Sequence, residues 1–360
     1  MIKEIKCEKD QLIVSWSNGS HSAYPYIWLK DIDPLDFHPQ TNERMFDLTQ
    51  CDLEIAPKDV VLDAEQISLQ WPDQPQRSIY PVALLATYAS HGHREDPAQV
   101  KRQLWYRDFK VSRFASNQMD ESAIKDMLVR LKRDGLVIIT GLDHEKSGEQ
   151  FGDLIGFKRE TNFGVMFEVI NKAEPNNLAF TAVSLPLHTD LSNQELPPGY
   201  QFLHCVKNEA QGGESILADG FAIATDLQRE QPAHFELLTT RKMPFRFHDK
   251  SCDIRFSHCV IGVKDEEVDK FIFNAHLAEN VNGLQGDIIQ YYRAYKALMA
   301  NIKQPKYALE LKLQSGEMMI FDNKRVMHGR NSFDPTTGDR HLRGYYIDHT
   351  EVDSKIRMLS

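Results

Sequence analysis

The second half of the chain is a succession of short strand-like runs, and this pattern restricts the fold more than any other feature of the sequence. From Gly199 onward the runs are YQFLHCV, ESILADGF, CVIGV, KFIFNA, LELKL, EMMIFDN and HLRGYYIDH. Two helical patterns interrupt them, near residues 219–230 and 286–301. Many strands with few helices predict a mainly β fold, a sandwich or barrel with flanking helices packed on the outside.

Ahead of that region, the sequence MDESAIKDMLVRLKRDG predicts a helix. Its apolar residues recur at the helical period, acidic residues lead it, and Gly135 is suited to end it. The periodic positions are Ile124, Met127, Leu128 and Leu131. The run LVIITGL that follows is almost uniformly apolar, which predicts a buried strand.

Residues 1–95 are predicted to form a separate, small, β-rich N-terminal domain. The stretch QLIVSWSNGSHSAYPYIWL alternates apolar and polar residues on either side of an Asn-Gly turn, which is typical of a hairpin. Residues 96–110 lie largely within the polar, proline-containing stretch SHGHREDPAQVKRQLWYR and are predicted to be a linker. The larger domain is then expected over residues 111–360.

Charge and composition exclude several kinds of partner. A formal net charge of −10 argues against nucleic acid or an anionic membrane, since both require a basic face. No apolar run approaches the roughly 20 residues that span a bilayer, and the charged start MIKEIKCEKDQLIVSW lacks the apolar block of a signal peptide. The five cysteines are scattered without a C-x-x-C pair, which suits reduced thiols, so we expect a cytoplasmic protein.

His188 and Asp190 form an H-x-D pair in SLPLHTDLSN, but the spacing alone is weak evidence for a metal site. Composition predicts roughly two H-x-[DE] matches by chance, and the sequence contains four. They are His93–Glu95, His188–Asp190, His234–Glu236 and His349–Glu351. The second pair stands out by its context, because residues i and i+2 of a strand face the same side and could both point into a barrel.

A two-histidine, one-carboxylate iron site leaves coordination positions open for co-substrate and oxygen, so a third ligand is expected on a later strand. His328 fits, because it follows the buried-looking strand and turn of EMMIFDNKRVMHGR. Twelve residues on, Arg340 begins the next strand, where its guanidinium could bind a carboxylate through two parallel hydrogen bonds. His204 and His341 are rival ligands, but each lies inside a strand-like run, which favours a core or supporting role.

At these residues the chain resembles the Fe(II)/2-oxoglutarate dioxygenases of the taurine dioxygenase superfamily, and within it the γ-butyrobetaine hydroxylases and trimethyllysine hydroxylases. The supporting stretches are NNLAFTAVSLPLHTD, PPGYQFLHCVKNEAQGGESILADGF, FDNKRVMHGR and RHLRGYYID. The likeness runs from about residue 110 to the end, and more weakly through YPYIWLKD and LQWPD. It implies a double-stranded β-helix (jelly roll) catalytic domain, and a homodimer.

The resemblance also implies the ligands and the co-substrates. His188, Asp190 and His328 would hold Fe(II), and the enzyme would consume 2-oxoglutarate and O2. Arg340 would pair with the distal carboxylate of 2-oxoglutarate, and Ser215 stands where relatives use a hydroxyl for the same group. The alternatives are a surface arginine on a strand and an ordinary turn hydroxyl.

The substrate implied by the resemblance carries a trimethylammonium group, which relatives hold among aromatic rings. Such a cation has no N–H, so ring faces attract it where hydrogen bonds cannot. The matching positions are Phe163, Phe167, Phe180 and Tyr346. Each could equally pack in a core, and three are Phe where the family mixes Tyr and Trp, so weaker cation binding is expected.

Relatives hold the carboxylate of γ-butyrobetaine with asparagine amides, and Asn177 and Asn274 stand at the corresponding places. Two neutral donors orient an anion without pairing its full charge. The alternative is that both satisfy backbone groups at turns or strand ends. Asn274 has the stronger claim to a ligand, because it lies within an apolar run and a buried amide requires partners.

The N-terminal domain departs from the family pattern, in which a cysteine cluster and a later histidine bind a structural zinc. The stretch WLKDIDPLDFHPQTNER contains no cysteine, and Asp33 and His38 alone rarely make a closed site. We therefore expect no structural zinc, and a domain held by its own core, in which Trp16, Trp28 and Trp71 are the largest contributors.

Four alternatives to γ-butyrobetaine hydroxylation remain open on the sequence. The same chemistry could act on trimethyllysine, or on a trimethylammonium phosphonate or another small acid. A more remote alternative is a non-catalytic betaine-binding module. The complete set of iron ligands argues against that module, because a binder of betaine has no use for them.

Overall fold

The computed structural model describes residues 1–89, 96–170, 181–281 and 288–360. The chain divides into two compact units, Met1–Asp96 and Pro97–Ser360. Within the described ranges, no helix combines the length and the apolar character that crossing a bilayer requires.

The first unit consists of two antiparallel sheets, each followed by a short helix. Strands β1 (Ile2–Cys7), β2 (Gln11–Trp16) and β3 (His21–Pro25) form one sheet and lead into helix α1 (Tyr26–Asp31). Strands β4 (Asp59–Leu62), β5 (Gln66–Gln70) and β6 (Ser78–Pro81) form the other and lead into α2 (Val82–Thr87). The predicted hairpin is confirmed, since β2 and β3 pair antiparallel around Gly19, whose φ of 85° is the left-handed conformation that glycine tolerates.

The core of this unit is aromatic. Trp71 and Tyr80 are fully buried and Trp16 is nearly so, while Trp28 is half-buried and packs between Tyr24 and Tyr88. The indole N–H of Trp71 donates to the Tyr80 hydroxyl at 3.3 Å, which in turn donates to a backbone carbonyl. Each buried polar atom of this pair therefore has a partner.

Lys30 is buried in the same unit and is surrounded by oxygen acceptors. Its Nζ lies 3.2 Å from a carboxylate oxygen of Asp36 and 3.5 Å from carboxylate oxygens of Asp33 and Asp73. It also donates to the side-chain carbonyl of Gln74 at 3.0 Å. The ammonium group therefore joins α1 to the loop that precedes β6.

Asp33 and His38, the two residues near the family's zinc positions, are engaged in local hydrogen bonds. The Asp33 carboxylate accepts from Ser78 Oγ at 2.5 Å, and His38 Nδ1 accepts from the backbone N–H of Thr41 at 3.2 Å. The absence of a structural zinc stays a prediction.

The second unit carries the remaining elements. Its strands are β7 (Ser112–Ala115), β8 (Leu136–Thr140), β9 (Lys158–Arg159), β10 (Phe167–Ile170), β11 (Leu185–His188), β12 (Tyr200–Asn208), β13 (Gln211–Gly212), β14 (Ser215–Asp219), β15 (Lys242–His248), β16 (Asp253–Cys259), β17 (Ile261–Lys264), β18 (Glu267–Phe271), β19 (Leu309–Leu311), β20 (Glu317–Asp322), β21 (Val326–Arg330), β22 (Phe333–Asp334) and β23 (Arg340–Ile347). Its helices are α3 (Glu121–Asp134), α4 (Ser147–Asp153), α5 (Gly220–Glu230), α6 (Pro232–Thr240), α7 (Ile288–Ile302) and α8 (His349–Met358).

Two sheets of this unit enclose a common core. The larger runs in the order β10-β23-β12-β20-β8-β7, with β9 paired to β23, and the smaller runs β11-β21-β14-β19. Leu203 and Met319 of the larger sheet pack in one cluster with Leu217 and Val326 of the smaller sheet. This two-sheet arrangement confirms the predicted mainly β fold of the double-stranded β-helix type.

The other face of the larger sheet is covered by helices. Phe202 and Ile320 alternate with the inward residues along their strands and pack against α3 and α8. The predicted helix α3 is confirmed, with Asp120 accepting from the backbone N–H of Ala123 at 2.8 Å and Gly135 at φ 75° ending it. Helices α5 and α7 occupy the two helical patterns of the strand-rich half.

Residues 97–110, proposed above as part of a linker, belong to the second unit and pack against its other elements. Trp105 is almost fully buried, its indole N–H donates to the carbonyl of Asp134 at 2.7 Å, and its backbone N–H donates to Asp219 at 3.1 Å. Because most residues of this segment are polar, the sequence did not indicate that Trp105 would be buried and would anchor it.

Candidate functional site

The two histidines and the aspartate predicted as metal ligands come together between strands of the smaller sheet. His188 ends β11 and is the cross-strand neighbour of His328 on β21. Oδ1 of Asp190 lies 3.3 Å from Nε2 of His188 and 3.6 Å from Nε2 of His328. A ligand atom from each residue lies within 4.8 Å of the others, which allows one ion to contact all three.

Asp190 reaches this position from a loop rather than from the strand, because β11 ends at His188. Asn323 fixes the loop: its side-chain carbonyl accepts from the Asp190 backbone N–H at 2.7 Å, and its amide donates to the Asp190 carbonyl at 3.1 Å. His188 and Asp190 therefore lie close together, as expected. The reason differs from the expected one, because Asp190 lies in a loop and not on the same strand face as His188.

Supporting hydrogen bonds orient the ligands. Nδ1 of His188 lies 2.8 Å from the carbonyl of Pro186, so that nitrogen carries the proton and Nε2 is left with its lone pair. The hydroxyl of Tyr346 donates to Oδ2 of Asp190 at 2.7 Å, leaving Oδ1 toward the histidines. Such contacts fix ring and carboxylate orientation before an ion arrives.

The electrostatics suit a divalent cation. Burial lowers the pKa of His328 to about 3, against the opposing effect of Asp190, so its imidazole is neutral at physiological pH. Burial alone would raise the pKa of Asp190, but the histidines and the Tyr346 hydroxyl outweigh burial and hold that pKa below its ordinary value. Two imidazoles and one carboxylate are the donor set of non-haem Fe(II) oxygenases, so these residues fit Fe(II).

A cavity of about 480 Å³ opens onto the three ligands, a volume in the range of small-molecule sites. Arg340 and Ser215, to which the resemblance assigns 2-oxoglutarate, both line it, and Arg330 is the cross-strand neighbour of Ser215. The guanidinium carbons of Arg330 and Arg340 lie 4.9 Å and 5.4 Å from the ring centroid of Phe333. This part of the cavity is therefore strongly cationic.

Arg340 has spare hydrogen-bonding capacity there. Its Nε is buried without a hydrogen-bond partner, while Arg330 donates to the carbonyls of Thr181 and Val183 at 2.7 Å and 2.8 Å. Burial, followed by the charge of Arg330, lowers the pKa of Arg340 to about 10, so it remains cationic at physiological pH. A buried arginine with an unpaired N–H is a ready site for a carboxylate.

Three of the four predicted cage residues are described, and all three line the cavity: Phe163, Phe167 and Tyr346. The rings of Phe167 and Tyr346 lie 5.3 Å apart between centroids. Gly344 makes room for Phe167, because a Cβ there would lie 2.3 Å from the ring. The fourth cage residue, Phe180, and the proposed amide of Asn177 lie outside the described residues.

Asn274 lines the cavity, but its amide is engaged with the backbone. Its side-chain carbonyl accepts from the N–H groups of His276 at 3.0 Å and Leu277 at 3.2 Å, and its amide nitrogen donates to the carbonyl of Thr189 at 3.3 Å. Asn274 therefore satisfies backbone groups, which is the alternative to ligand binding that the sequence left open. Its bonds connect the loop of Asp190 to the turn after β18.

The two rival histidines lie apart from the metal ligands. Nε2 of His204 bonds the carbonyl of Leu142 at 3.0 Å, and His341 pairs with Glu168. Neither belongs to the metal-binding group found in the described part of the chain. Their supporting role agrees with their position inside strands.

Sequence reasoning missed several residues that line the cavity. Phe247 of β15 lines the cavity, and its ring centroid lies 5.4 Å from that of Phe163, edge to face. Asn193 and Gln201 each bury a side-chain polar atom that has no hydrogen-bond partner in the part of the chain that the structure describes. The alternation of FRFH could have marked Phe247 as inward-facing, whereas nothing local distinguishes Asn193.

The chain is similar in sequence to two known protein families and to individual known proteins. The sequence profile of the Taurine catabolism dioxygenase TauD, TfdA family matches residues 98–346, and that of the Gamma-butyrobetaine hydroxylase-like N-terminal family matches residues 4–86. Gamma-butyrobetaine dioxygenase of Pseudomonas sp. (strain AK-1) is 32% identical over 355 residues, covering 96% of this chain and 93% of that protein. The mitochondrial trimethyllysine dioxygenase of Gallus gallus is 28% identical over 355 residues, covering 93% and 83%.

A solved structure supports the fold. The taurine dioxygenase from Burkholderia xenovorans superposes with a TM-score of 0.52 at 15% identity, covering 69% of this chain and 90% of that one. At this identity the likeness concerns the fold alone, and it agrees with the jelly-roll core described above.

Proposed function

Because this chain belongs to the Taurine catabolism dioxygenase TauD, TfdA family and is an Fe(II)/2-oxoglutarate-dependent dioxygenase, we propose that it hydroxylates a small acid bearing a trimethylammonium group. The first candidate is γ-butyrobetaine, which would yield carnitine. The observation that carries this proposal is a single cavity lined by the His-Asp-His group, by aromatic rings and by Arg340. Its lining combines cationic and aromatic side chains.

His188, Asp190 and His328 would hold the iron through Nε2, Oδ1 and Nε2. When bound, Fe(II) supplies the oxidising chemistry, using O2 and converting 2-oxoglutarate to succinate and carbon dioxide. The chain contributes orientation: the Pro186 carbonyl and the Tyr346 hydroxyl keep the ligand atoms directed at one point. The protein therefore positions the reacting groups, while the cofactor carries out the difficult chemistry.

Arg340 would bind the distal carboxylate of 2-oxoglutarate, with Ser215 as a second donor. The buried, unpartnered Nε of Arg340 supports this role, because an arginine N–H in an apolar setting gains most from a carboxylate partner. Ser215 lies on the strand beside Arg330 and lines the same part of the cavity.

Phe163, Phe167 and Tyr346 would surround the trimethylammonium group. Their rings offer negative faces to a cation that cannot form hydrogen bonds. The nearby Asp190–Tyr346 hydrogen bond ties one wall of this cage to the metal site, so the substrate carbon to be oxidised is held relative to the iron. Such placement matters, because a displacement of about 1 Å can cost two orders of magnitude in rate.

Two other substrates use the same chemistry. Trimethyllysine is favoured by the likeness to trimethyllysine dioxygenase, and a trimethylammonium phosphonate presents the same cation with a different acid.

The homodimer implied by the resemblance stays a prediction.

The test is succinate release by the Fe(II)-loaded protein over a panel of γ-butyrobetaine, trimethyllysine, trimethylammonioethylphosphonate and taurine. We expect one of the first three to stimulate succinate release and taurine to have no effect. The matched control is Asp190→Ala, which should abolish release while the far-ultraviolet circular dichroism is unchanged. Stimulation by taurine alone would overturn the trimethylammonium proposal, and wild-type rates in Asp190→Ala would overturn the metal assignment.

A further inference from the structure

The loop that carries the metal ligand Asp190 is held from outside through Gln194, four residues further along the chain. Nε2 of His258 donates to the Gln194 backbone carbonyl at 2.8 Å, and the Arg159 guanidinium donates to the Gln194 side-chain carbonyl at 3.2 Å. The Gln194 side-chain amide in turn donates to the side-chain carbonyl of Asn162 at 3.5 Å. Two segments that are distant in the sequence, residues 159–162 and residue 258, therefore meet at one half-buried glutamine.

Both segments also support aromatic rings of the cavity. Phe163 follows Asn162 directly, and its ring lines the cavity. His258 lies on β16, which pairs with β15, the strand that carries Phe247. The rings of Phe163 and Phe247 stand edge to face, 5.4 Å apart between centroids. Gln194 is therefore bonded to the supports of two neighbouring walls of the cavity.

The short connection between Gln194 and Asp190 is a constrained turn. Leu191 has a φ of 55°, a left-handed conformation that a residue with a side chain rarely adopts, and its carbonyl accepts from the Gln194 N–H at 3.0 Å. Such a conformation persists only where the surrounding structure over-determines it. Asn323 holds the backbone of Asp190 from the other side. The position of Gln194 therefore helps to set the position of Asp190.

Arg159 connects this network to β23. Its guanidinium pairs with the Asp348 carboxylate at 3.0 Å and donates to the Leu196 carbonyl at 2.5 Å. Arg159 is also the cross-strand neighbour of Tyr346, whose hydroxyl bonds the metal ligand. Its side chain is mostly buried, and hydrogen bonds from a charged guanidinium are stronger than those between neutral groups. Gln194 is thereby held against the strand that also orients the metal ligand.

We propose that Gln194 is a positioning residue that couples the substrate pocket to the metal centre, an inference that rests on the proposed function. It fixes the carboxylate of Asp190 relative to Phe163 and Phe247, and thereby the metal relative to the substrate carbon that is oxidised. Gln194 itself lies outside the cavity lining, so it acts on the reaction through Asp190 and through the supports of the two rings.

The decisive variant is Gln194→Leu, which keeps the approximate size of the side chain but removes the acceptor for Arg159. Hydroxylated product and succinate would both be measured with the best acid of the panel, with ascorbate as the reductant that turnover without hydroxylation consumes. We expect product formed per succinate to fall about 3- to 10-fold, because a displacement of about 1 Å can cost two orders of magnitude in rate. KM for 2-oxoglutarate should not change, because none of these bonds involves Arg340.

Metal affinity is a second readout, and it does not depend on turnover. Mn(II) serves as a stand-in for Fe(II), and its dissociation constant would be measured by electron paramagnetic resonance. We expect this constant to rise about 3- to 10-fold in Gln194→Leu, less than the change of about 10- to 100-fold that follows the loss of a group bonded to the ligand itself. A role in stability alone would leave the metal affinity of the folded protein unchanged.

Three further variants separate positioning from a general loss of structure. Gln194→Glu keeps an acceptor for Arg159, so it should recover most of the loss in both readouts. Glu195→Leu changes the next residue of the same loop, which is exposed, and should match the wild type. Arg159→Lys keeps a positive charge opposite Asp348 but lacks the fork of donors that reaches the loop, so it should reproduce the loss of Gln194→Leu. It carries the test if Gln194→Leu does not fold.

Wild-type values of both readouts in Gln194→Leu, or in Arg159→Lys where the first variant does not fold, would overturn the inference. Equal losses in Gln194→Leu and Glu195→Leu would overturn it as well. Each of these results would leave the proposed function standing, since the wild-type enzyme would still hydroxylate the acid. A wild-type protein that responds to no trimethylammonium acid would overturn the proposed function, and the Mn(II) affinities would then decide whether Gln194 positions Asp190.

Discussion

The Tyr346 hydroxyl donates to Oδ2 of Asp190 at 2.7 Å, while the ring of the same tyrosine lines the cavity 5.3 Å from Phe167. One side chain thus contacts both a metal ligand and the proposed cation site. Burial, reinforced by the charge of Asp190, raises the pKa of Tyr346, so the hydroxyl keeps its proton and remains a donor.

Replacing Tyr346 by Phe should separate these two roles. The ring stays in the cavity, but Asp190 loses its hydroxyl partner and its orienting bond. Loss of a partner of this kind weakens metal binding about 10- to 100-fold, so we expect that change in the Fe(II) dissociation constant. KM for the trimethylammonium substrate, measured at saturating iron, should change little.

Tyr345→Phe is the matched control. Tyr345 is the preceding residue on β23 and faces the helices, where its hydroxyl donates to the Gly148 carbonyl at 2.7 Å. It should lose stability without a change in Fe(II) affinity, which anaerobic titration would measure. Equal Fe(II) affinities for the two variants would contradict the role of the Tyr346 hydroxyl.

Arg340→Lys should raise KM for 2-oxoglutarate about 10- to 100-fold, since lysine cannot reproduce the planar fork of donors that binds a carboxylate. Arg343→Lys is the matched control, because Arg343 lies on the same strand and bonds Glu168 at 2.9 Å outside the cavity lining. KM for 2-oxoglutarate, from coupled succinate assays, should be normal in this control. An unchanged value in Arg340→Lys would remove Arg340 from the co-substrate site.

The metal ligands could be predicted because each lies at a recognisable place along the chain. His188 and His328 end or occupy apolar strands, and Asp190 follows at a short spacing. This strand context and the family resemblance together separated the three residues from the other H-x-[DE] matches. The backbone of Asp190 is nevertheless held by the side chain of Asn323, 133 residues away. That contact depends on how β20 and β21 are placed, which no local pattern encodes.

The substrate pocket was harder to predict for the same reason. Phe247 enters the cavity from a hairpin far along the chain, and Asn193 is distinguished only by the absence of partners, which requires coordinates. Asn274 was expected to bind a ligand because a buried amide requires partners, but its own turn supplies them.

The cytoplasmic location stays a prediction.

Phe167→Leu tests whether the cavity recognises positive charge. Leucine preserves apolar contact but removes the ring face, so KM for the trimethylammonium substrate should rise about 3- to 30-fold. An uncharged carbon analogue, with a tert-butyl group in place of trimethylammonium, should show a smaller change in its inhibition constant. Phe157→Leu is the control, because Phe157 is largely exposed and outside the cavity lining. Equal losses for the cation and its carbon analogue would argue for apolar contact alone.

Lys30→Met should destabilise the first unit. Asp33 is fully buried, and removing the ammonium leaves its carboxylate, among the described residues, with only Ser78 and Gln74 as side-chain donors. Removing one partner of a buried ion pair destabilises a protein by about 3 to 5 kcal/mol. We expect a loss of about 3 kcal/mol in the free energy of unfolding, because Ser78 and Gln74 still donate to Asp33.

Tryptophan fluorescence during urea unfolding would measure this loss, because three of the four tryptophans lie in Met1–Asp96, and the ring of Trp71 is 5.9 Å from Lys30 Nζ. Lys9→Met, at an exposed turn between β1 and β2, is the matched control and should unfold like the wild type. If Lys30→Met unfolds at the wild-type urea concentration, the ammonium does not stabilise this unit. The hydrogen bonds of Asp33 to Ser78 and Gln74 would then be sufficient to hold the loop before β6 against α1.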